Sequence, residues 1–275
     1  MRVDLLIIDM QKDFCDKNGA LYVPGADKDV DRLSKMIDKF GSGLHSIHAT
    51  LDSHHYVDVA HPIFLMDKKG NHPAPFTVIT EEDVMAGVWK TTERAYQNRK
   101  SMEARGIDRD GFEEYVSALK ANGRYPLMVW PPHCLIGHGG SNFADPLAGS
   151  LLKWESSFNM VNCVTKGSNI FTEHYSAVQA DVPDPSDPST LLNTQLIETL
   201  DEADVVLLAG EALSHCLANT GRDIADNFGE DSMKKIVILE DATSSVDGCS
   251  NMGEDFMNEM INRGMKVDTT VNILK

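Results

Sequence analysis

The stretch Val205-Val206-Leu207-Leu208-Ala209-Gly210-Glu211-Ala212-Leu213-Ser214-His215-Cys216 carries the reading of the fold. Its first five residues, all small or apolar, read as a fully buried strand. Gly210 lets the backbone turn, and Ser214 is placed to cap a helix in which Leu217, Ile224, Ala225 and Phe228 recur at helical spacing. Cys216 then falls in the first turn of a helix that follows a buried strand. Unpaired N–H groups and the positive end of the helix dipole lower a thiol's pKa there and can hold an oxyanion. Taken alone, the same stretch fits an inert buried cysteine equally well.

Outward from this stretch, strands alternate with helices. Val3 to Ile8, Leu44 to Leu51, Leu127 to Trp130, Val161 to Thr165, Lys235 to Leu239 and Met265 to Thr270 read as strands, with Thr77 to Ile79 a shorter one. Asp27 to Phe40, Asp110 to Asn122, Thr190 to Ala203 and Ser250 to Asn262 read as helices. The alternation, without repeats or low-complexity linkers, predicts an α/β chain with one parallel sheet covered on both faces. The whole of 1–275 is expected to form a single domain. Its insertion at about 66–125 is a lid, a subunit contact or a disordered segment.

Composition narrows the function. The 275 residues are 42% hydrophobic and 24% charged, ordinary for a globular chain. The formal charge of −17 argues against nucleic acid or an acidic membrane as partner. No apolar run is long enough to span a bilayer. The first residues, Met1 to Asp9, read as a strand rather than a signal peptide, so the expected location is the cytoplasm. Five widely spaced cysteines with no CxxC pair are expected as free thiols, not a disulfide framework or a zinc knuckle. Gly137 and Gly139 lack the third glycine of a dinucleotide fingerprint, and there is no P-loop, so a dinucleotide-dependent oxidoreductase is remote.

Several side chains fall at expected strand ends, where open α/β sheets place their sites. Asp9 follows the first strand, although alone it fits a turn or cap acid. Asp52-Ser53-His54 follows the second, with His61 a few residues on. Asp52 and His54, two apart in an extended segment, share a face and can give a divalent ion two ligands, the third coming from elsewhere. Pro131 and Pro132 present His133 rigidly. Lys166 ends the strand after it, a position usual for a solvated charge. His45 and His48 read as packed histidines.

The chain resembles the cysteine hydrolase superfamily typified by nicotinamidases and isochorismatases. The resemblance rests on Asp9-Met10-Gln11-Lys12-Asp13-Phe14, Asp52-x-His54, Trp130-Pro131-Pro132-His133-Cys134, Lys166-Gly167 and Glu211-Ala212-Leu213-Ser214-His215-Cys216, in the family's order over nearly the whole chain. It implies the isochorismatase-like three-layer sandwich, a parallel six-stranded sheet with helices on both faces. It further implies a catalytic triad of Asp9, Lys166 and Cys216, an oxyanion site at the Ala212 and Cys216 amides, and a cis Glu211–Ala212 peptide. In the nicotinamidase-like branch a divalent metal, commonly zinc, iron or manganese, holds the substrate's pyridine nitrogen. That pattern maps onto Asp52, His54 and His133, with His61 a fourth ligand. Phe14 and Trp130 match aromatic positions that flank a flat ring, and plain core aromatics remain the competing reading.

The activity implied is hydrolysis of nicotinamide, or a similar small carboxamide, to the acid and ammonia through a thioester on Cys216. The expected partner is a small-molecule amide, and family members commonly form homo-oligomers. Two segments depart from compact nicotinamidases: the long stretch between His61 and Trp130, and Ser168 to Tyr175. The alternatives are a related hydrolase of a carbamoyl compound or an isochorismate-like vinyl ether, and a catalytically silent binding protein on the same fold.

Overall fold

The computed structural model describes residues 1–97 and 111–274. Six strands form one parallel sheet: β1 (Val3–Ile8), β2 (Ser46–Asp52), β7 (Asn162–Lys166), β8 (Val205–Gly210), β9 (Ile236–Leu239) and β10 (Lys266–Asp268), in the order β10-β9-β8-β1-β2-β7. Every residue of β1 is buried, as is all of β8 but its first residue, because both lie in the middle of the sheet under helices.

The chain runs from β1 through β2 to β7 at one edge, returns to lay β8 beside β1, and then moves outward through β9 to β10. Right-handed crossovers in the two directions put helices on opposite faces. Helices Ala26–Phe40 and Leu147–Glu155 pack together on one face, and Cys216–Asn227 packs with Ser250–Asn262 on the other. The direction reverses between β1 and β8, and the crevice beyond their C-terminal ends is where such sheets place ligands. Ile8 and Gly210 are register partners at that point. Gly210 has φ +122°, and a Cβ there would lie 2.1 Å from the Ile8 carbonyl oxygen, so only glycine fits.

Local readings needed revision. Leu127 to Trp130 is not a strand of the parallel sheet. Only Leu127–Met128 (β6) is extended in pairing, and it runs antiparallel to β4 (Val78–Ile79), while β3 (Leu65–Met66) pairs with β5 (Lys90–Thr91). An apolar run does not encode which partner it takes. The expected helix start at Asp110 lies outside the described residues, and the helix runs Phe112–Ala121. The helix expected from Thr190 begins at Thr194, capped by the Asn193 side chain. His48 is buried as expected, but His45 is exposed beside Asp4. All five cysteines are free. Among the described residues no helix is long and apolar enough to cross a membrane.

Candidate active site

The C-terminal ends of β1, β2, β7 and β8 deliver four side chains to one place. Asp9 follows β1, Asp52 closes β2, Lys166 closes β7 and is Asp52's register partner, and Cys216 opens the helix after β8. All four are buried. Lys166 Nζ is the hub, 2.8 Å from Asp9 Oδ2, 3.1 Å from Asp52 Oδ1, 3.0 Å from the His174 carbonyl oxygen and 3.7 Å from Cys216 Sγ. Burial works against the ammonium, but Asp52 and then Asp9 outweigh it and hold Lys166 well above the usual lysine range.

Asp9 has φ +45°, a left-handed conformation uncommon for a non-glycine residue. Thr50 stabilises it there: its hydroxyl accepts from the Asp9 amide at 2.9 Å and donates to Asp9 Oδ1. Among the described residues the ion-paired Oδ2 has no aligned hydrogen-bond donor, so it is open to a proton. Burial raises the Asp9 pKa, with Lys166 opposing.

Helix position alone suggested a lowered thiol pKa at Cys216. Instead burial pushes this thiol well above its ordinary value; Lys166 opposes that, and the Asp9 and Asp52 charges add to it. Cys216 lies in the first turn as expected, but the helix starts at Cys216 itself, with His215 rather than Ser214 at the cap position. Ser214 Oγ accepts from the Val246 amide at 3.1 Å and lies 2.8 Å from His215 Nδ1. The Glu211–Ala212 peptide is cis. The Ala212 carbonyl accepts from the His215 and Leu217 amides, whereas the Ala212 and Cys216 amides have no acceptor among the described residues. The nucleophile turn therefore holds two N–H groups without a protein acceptor among the described residues.

Beside this cluster lies a second one. Asp52 Oδ2 is 3.0 Å from His54 Nε2 and 3.4 Å from His133 Nε2. A tetrahedral ion with bonds of about 2.0–2.1 Å keeps its ligand atoms about 3.3 Å apart. Asp52, His54 and His133 thus form a buried group that could hold a metal ion, with all candidate atoms within 4.8 Å of one another. His61 stands outside this tight group, but its ring centroid is 5.3 Å from that of His54 and 5.6 Å from that of His133. Burial holds the His61 pKa down to about 4, and its buried Nε2 has no partner among the described residues.

In each imidazole Nδ1 is already committed to an oxygen: His54 to Asp58 at 3.0 Å, His133 to the Pro131 carbonyl at 2.9 Å, and His61 to the Tyr56 carbonyl at 3.2 Å. Anchored in this way, His54 and His133 both turn Nε2 toward Asp52 Oδ2, the arrangement that orients metal ligands. The donor set fits a divalent ion of the zinc type.

Phe14 meets the His133 ring edge-on at 5.3 Å, next to this group. Trp130 is buried farther along the wall, its indole N–H donating to the Tyr175 hydroxyl at 2.9 Å and its ring 5.2 Å from His215. The structure therefore brings Asp9, Asp52, Lys166 and Cys216 together, sets His54 and His133 against Asp52 with Phe14 at His133, and leaves His61 beside the two histidines and Trp130 packed on Tyr175 and His215. Sequence reasoning missed the supports. Asp58 anchors His54, a role its spacing of four from His54 could have suggested. Gln11 clamps the Asp52 backbone from both sides, donating to its carbonyl at 2.7 Å and accepting from its amide at 2.8 Å. Thr50 and the His174 carbonyl carry no sequence signal at all.

The chain has the fold of solved nicotinamidase structures. It aligns with yeast nicotinamidase Pnc1p bound to the inhibitor nicotinaldehyde at a TM-score of 0.65 and 18% identity, over 97% of this chain and 99% of that one. A nicotinamidase pyrazinamidase of Acinetobacter baumanii aligns at 0.62 and 18%, over 99% and 98%. The pyrazinamidase of Pyrococcus horikoshii in complex with zinc aligns at 0.54 and 20%, over 98% and 99%. No family model matches the chain, and no curated protein matches it in sequence.

Proposed function

We propose that the chain is a metal-dependent cysteine amidohydrolase of the nicotinamidase type, acting on nicotinamide or a similar small ring carboxamide. The observation that carries this reading is one lysine nitrogen touching Asp9, Cys216 and Asp52 at once, with Asp52 shared by the histidine group.

In this reading Asp9 takes the Cys216 proton as sulfur attacks the amide carbon, so a high resting thiol pKa is no obstacle. The C–S bond forms as the carbonyl electrons move to oxygen, where the Ala212 and Cys216 amides receive the charge. Losing one such donor typically costs about 2.7–4 kcal/mol of transition-state stabilisation. The tetrahedral species collapses, the C–N bond breaks, and Asp9 hands its proton to the departing ammonia. A water then gives a proton to Asp9 and attacks the thioester carbon, and the acid leaves as Cys216 regains its hydrogen. Lys166 keeps positive charge against Asp9 throughout.

A divalent ion held by Asp52, His54 and His133, with His61 as a further ligand, would offer a Lewis-acid anchor for a ring nitrogen. Zinc suits the donor set, and iron or manganese are the alternatives. Phe14 and Trp130 would flank the ring. Ammonia release from nicotinamide, measured in the wild-type chain and in Cys216→Ala, tests the reading. Equal release from both would remove Cys216 as nucleophile.

A further inference from the structure

Glu211 is fully buried directly before the nucleophile turn. Its Oε2 accepts from the Ser244 amide at 3.1 Å, and its buried Oε1 has no donor among the described residues. Asp29, from helix Ala26–Phe40, faces it. Asp29 is itself committed, accepting from the Ser244 hydroxyl at 2.5 Å and pairing with the Arg32 guanidinium. Two carboxylates held on the same serine, with one guanidinium paired to Asp29, leave one negative charge uncompensated, and neither carboxylate can donate. One proton resolves both defects.

We propose that Glu211 is a positioning residue: as a neutral carboxylic acid it donates to Asp29 while accepting from Ser244, and so fixes the turn that presents the Ala212 amide to the reacting carbonyl. The inference rests on the hydrolase reading for its last clause only. The turn is tied to the same loop at two further points, since the Leu213 amide donates to the Ser244 carbonyl at 2.8 Å and Val246 donates to Ser214. Glu211 supplies the link on the other side of the turn, to the helix on the opposite element.

Other groups around it agree with a neutral acid. The titratable and charged groups facing Glu211 are Asp29 and Arg32 from helix Ala26–Phe40 and the Cys15 thiol from helix Lys12–Cys15. Burial first, then Asp29, raises the Glu211 pKa well above the usual range, against the Ser244 amide and then Arg32. A group whose folded pKa is raised holds its proton in the folded chain after the unfolded chain has lost it. Its stabilisation is complete at acid pH and is lost as pH rises toward the folded pKa.

The test uses the full chain. Glu211→Gln keeps a donor for Asp29 and an acceptor for Ser244 but cannot ionise. The melting temperature of Glu211→Gln relative to wild type should rise by roughly 2–4 °C per pH unit as pH increases above about 5, where the unfolded glutamate has ionised. A gap independent of pH would overturn the shared proton. In the carboxamide assay, Glu211→Ala should lose about 10–100-fold in kcat with KM within about twofold, and Glu211→Gln should recover most of that loss. A loss confined to KM, or no recovery in Glu211→Gln, would overturn the positioning role. The melting experiment needs no substrate, so absence of turnover in the wild-type chain refutes the hydrolase reading without touching the proton assignment. Should Glu211→Ala fail to fold, the pH-dependent gap of Glu211→Gln still decides the matter.

Discussion

Gly167→Ala is a small change that reaches both halves of the site. Gly167 follows Lys166 with φ +84°, and a Cβ there would lie 2.7 Å from Asp52 Oδ1 and 3.1 Å from His54 Cε1. Ordinary contact begins near 3.4 Å, so the Asp52 oxygen must retreat by about 0.7 Å. Metal ligands tolerate about 0.2 Å. Asp52 also holds Lys166 through the oxygen that is pushed. Disturbing such a neighbour typically costs 10–100-fold in metal affinity. The left-handed backbone adds a separate cost of about 1–2 kcal/mol in stability.

The assay is zinc competition against a chromogenic chelator, run beside urea unfolding of the metal-stripped protein. Zinc affinity should fall by about 10–100-fold and metal-free stability by about 1–2 kcal/mol. Unchanged zinc affinity in a variant whose metal-free stability has dropped as expected would refute Asp52 and His54 as ligands.

Two other substitutions probe the buried charges. Lys166→Met leaves Asp9 and Asp52 buried without their cation, so urea unfolding at neutral pH should show a loss of about 3–5 kcal/mol. A loss below about 1 kcal/mol would show that these carboxylates are not ion-paired in the folded chain. His174 is held neutral by burial, its pKa pushed down from 6.5 to about 3, and its Nδ1 accepts from the Gly167 amide at 3.4 Å. Below pH 6.5 the unfolded chain takes up a proton that the folded one refuses, so stability is complete above 6.5 and lost as pH falls toward 3. Relative to His174→Gln, wild type should lose about 1.4 kcal/mol per pH unit over that window, and parallel curves would contradict it.

The residues legible in the sequence are those whose position follows from strand and helix boundaries alone. Asp9, Asp52 and Lys166 could be assigned to strand ends because the apolar runs before them are long enough to read, and Cys216 to a helix start because Gly210 marks the turn. The parallel sheet followed from the same alternation. What failed depends on choices made by the whole chain. Leu127–Met128 pairs with Val78–Ile79 instead of joining the large sheet, and nothing in either run specifies that partner. Helix Leu147–Glu155 buries Leu147, Ser150, Leu151 and Trp154 at helical spacing, but Gly149 and Ser150 dilute its pattern. The electrostatics of Cys216 were read with the wrong sign because the helix terminus is visible in sequence and the depth of burial is not. Thr50 and Gln11 act through contacts with residues 41 positions away, which spacing does not reveal, whereas Asp58 sits four residues from His54 and was within reach of a spacing argument.

The most direct measurement of the central claim is ammonia release from nicotinamide by the purified chain, with metal content determined on the same sample. The account predicts release, about one divalent metal per chain, and loss of release in Cys216→Ala with the fold intact. Metal bound and Cys216 reactive, but no ammonia from nicotinamide or from a panel of small ring carboxamides, would contradict it.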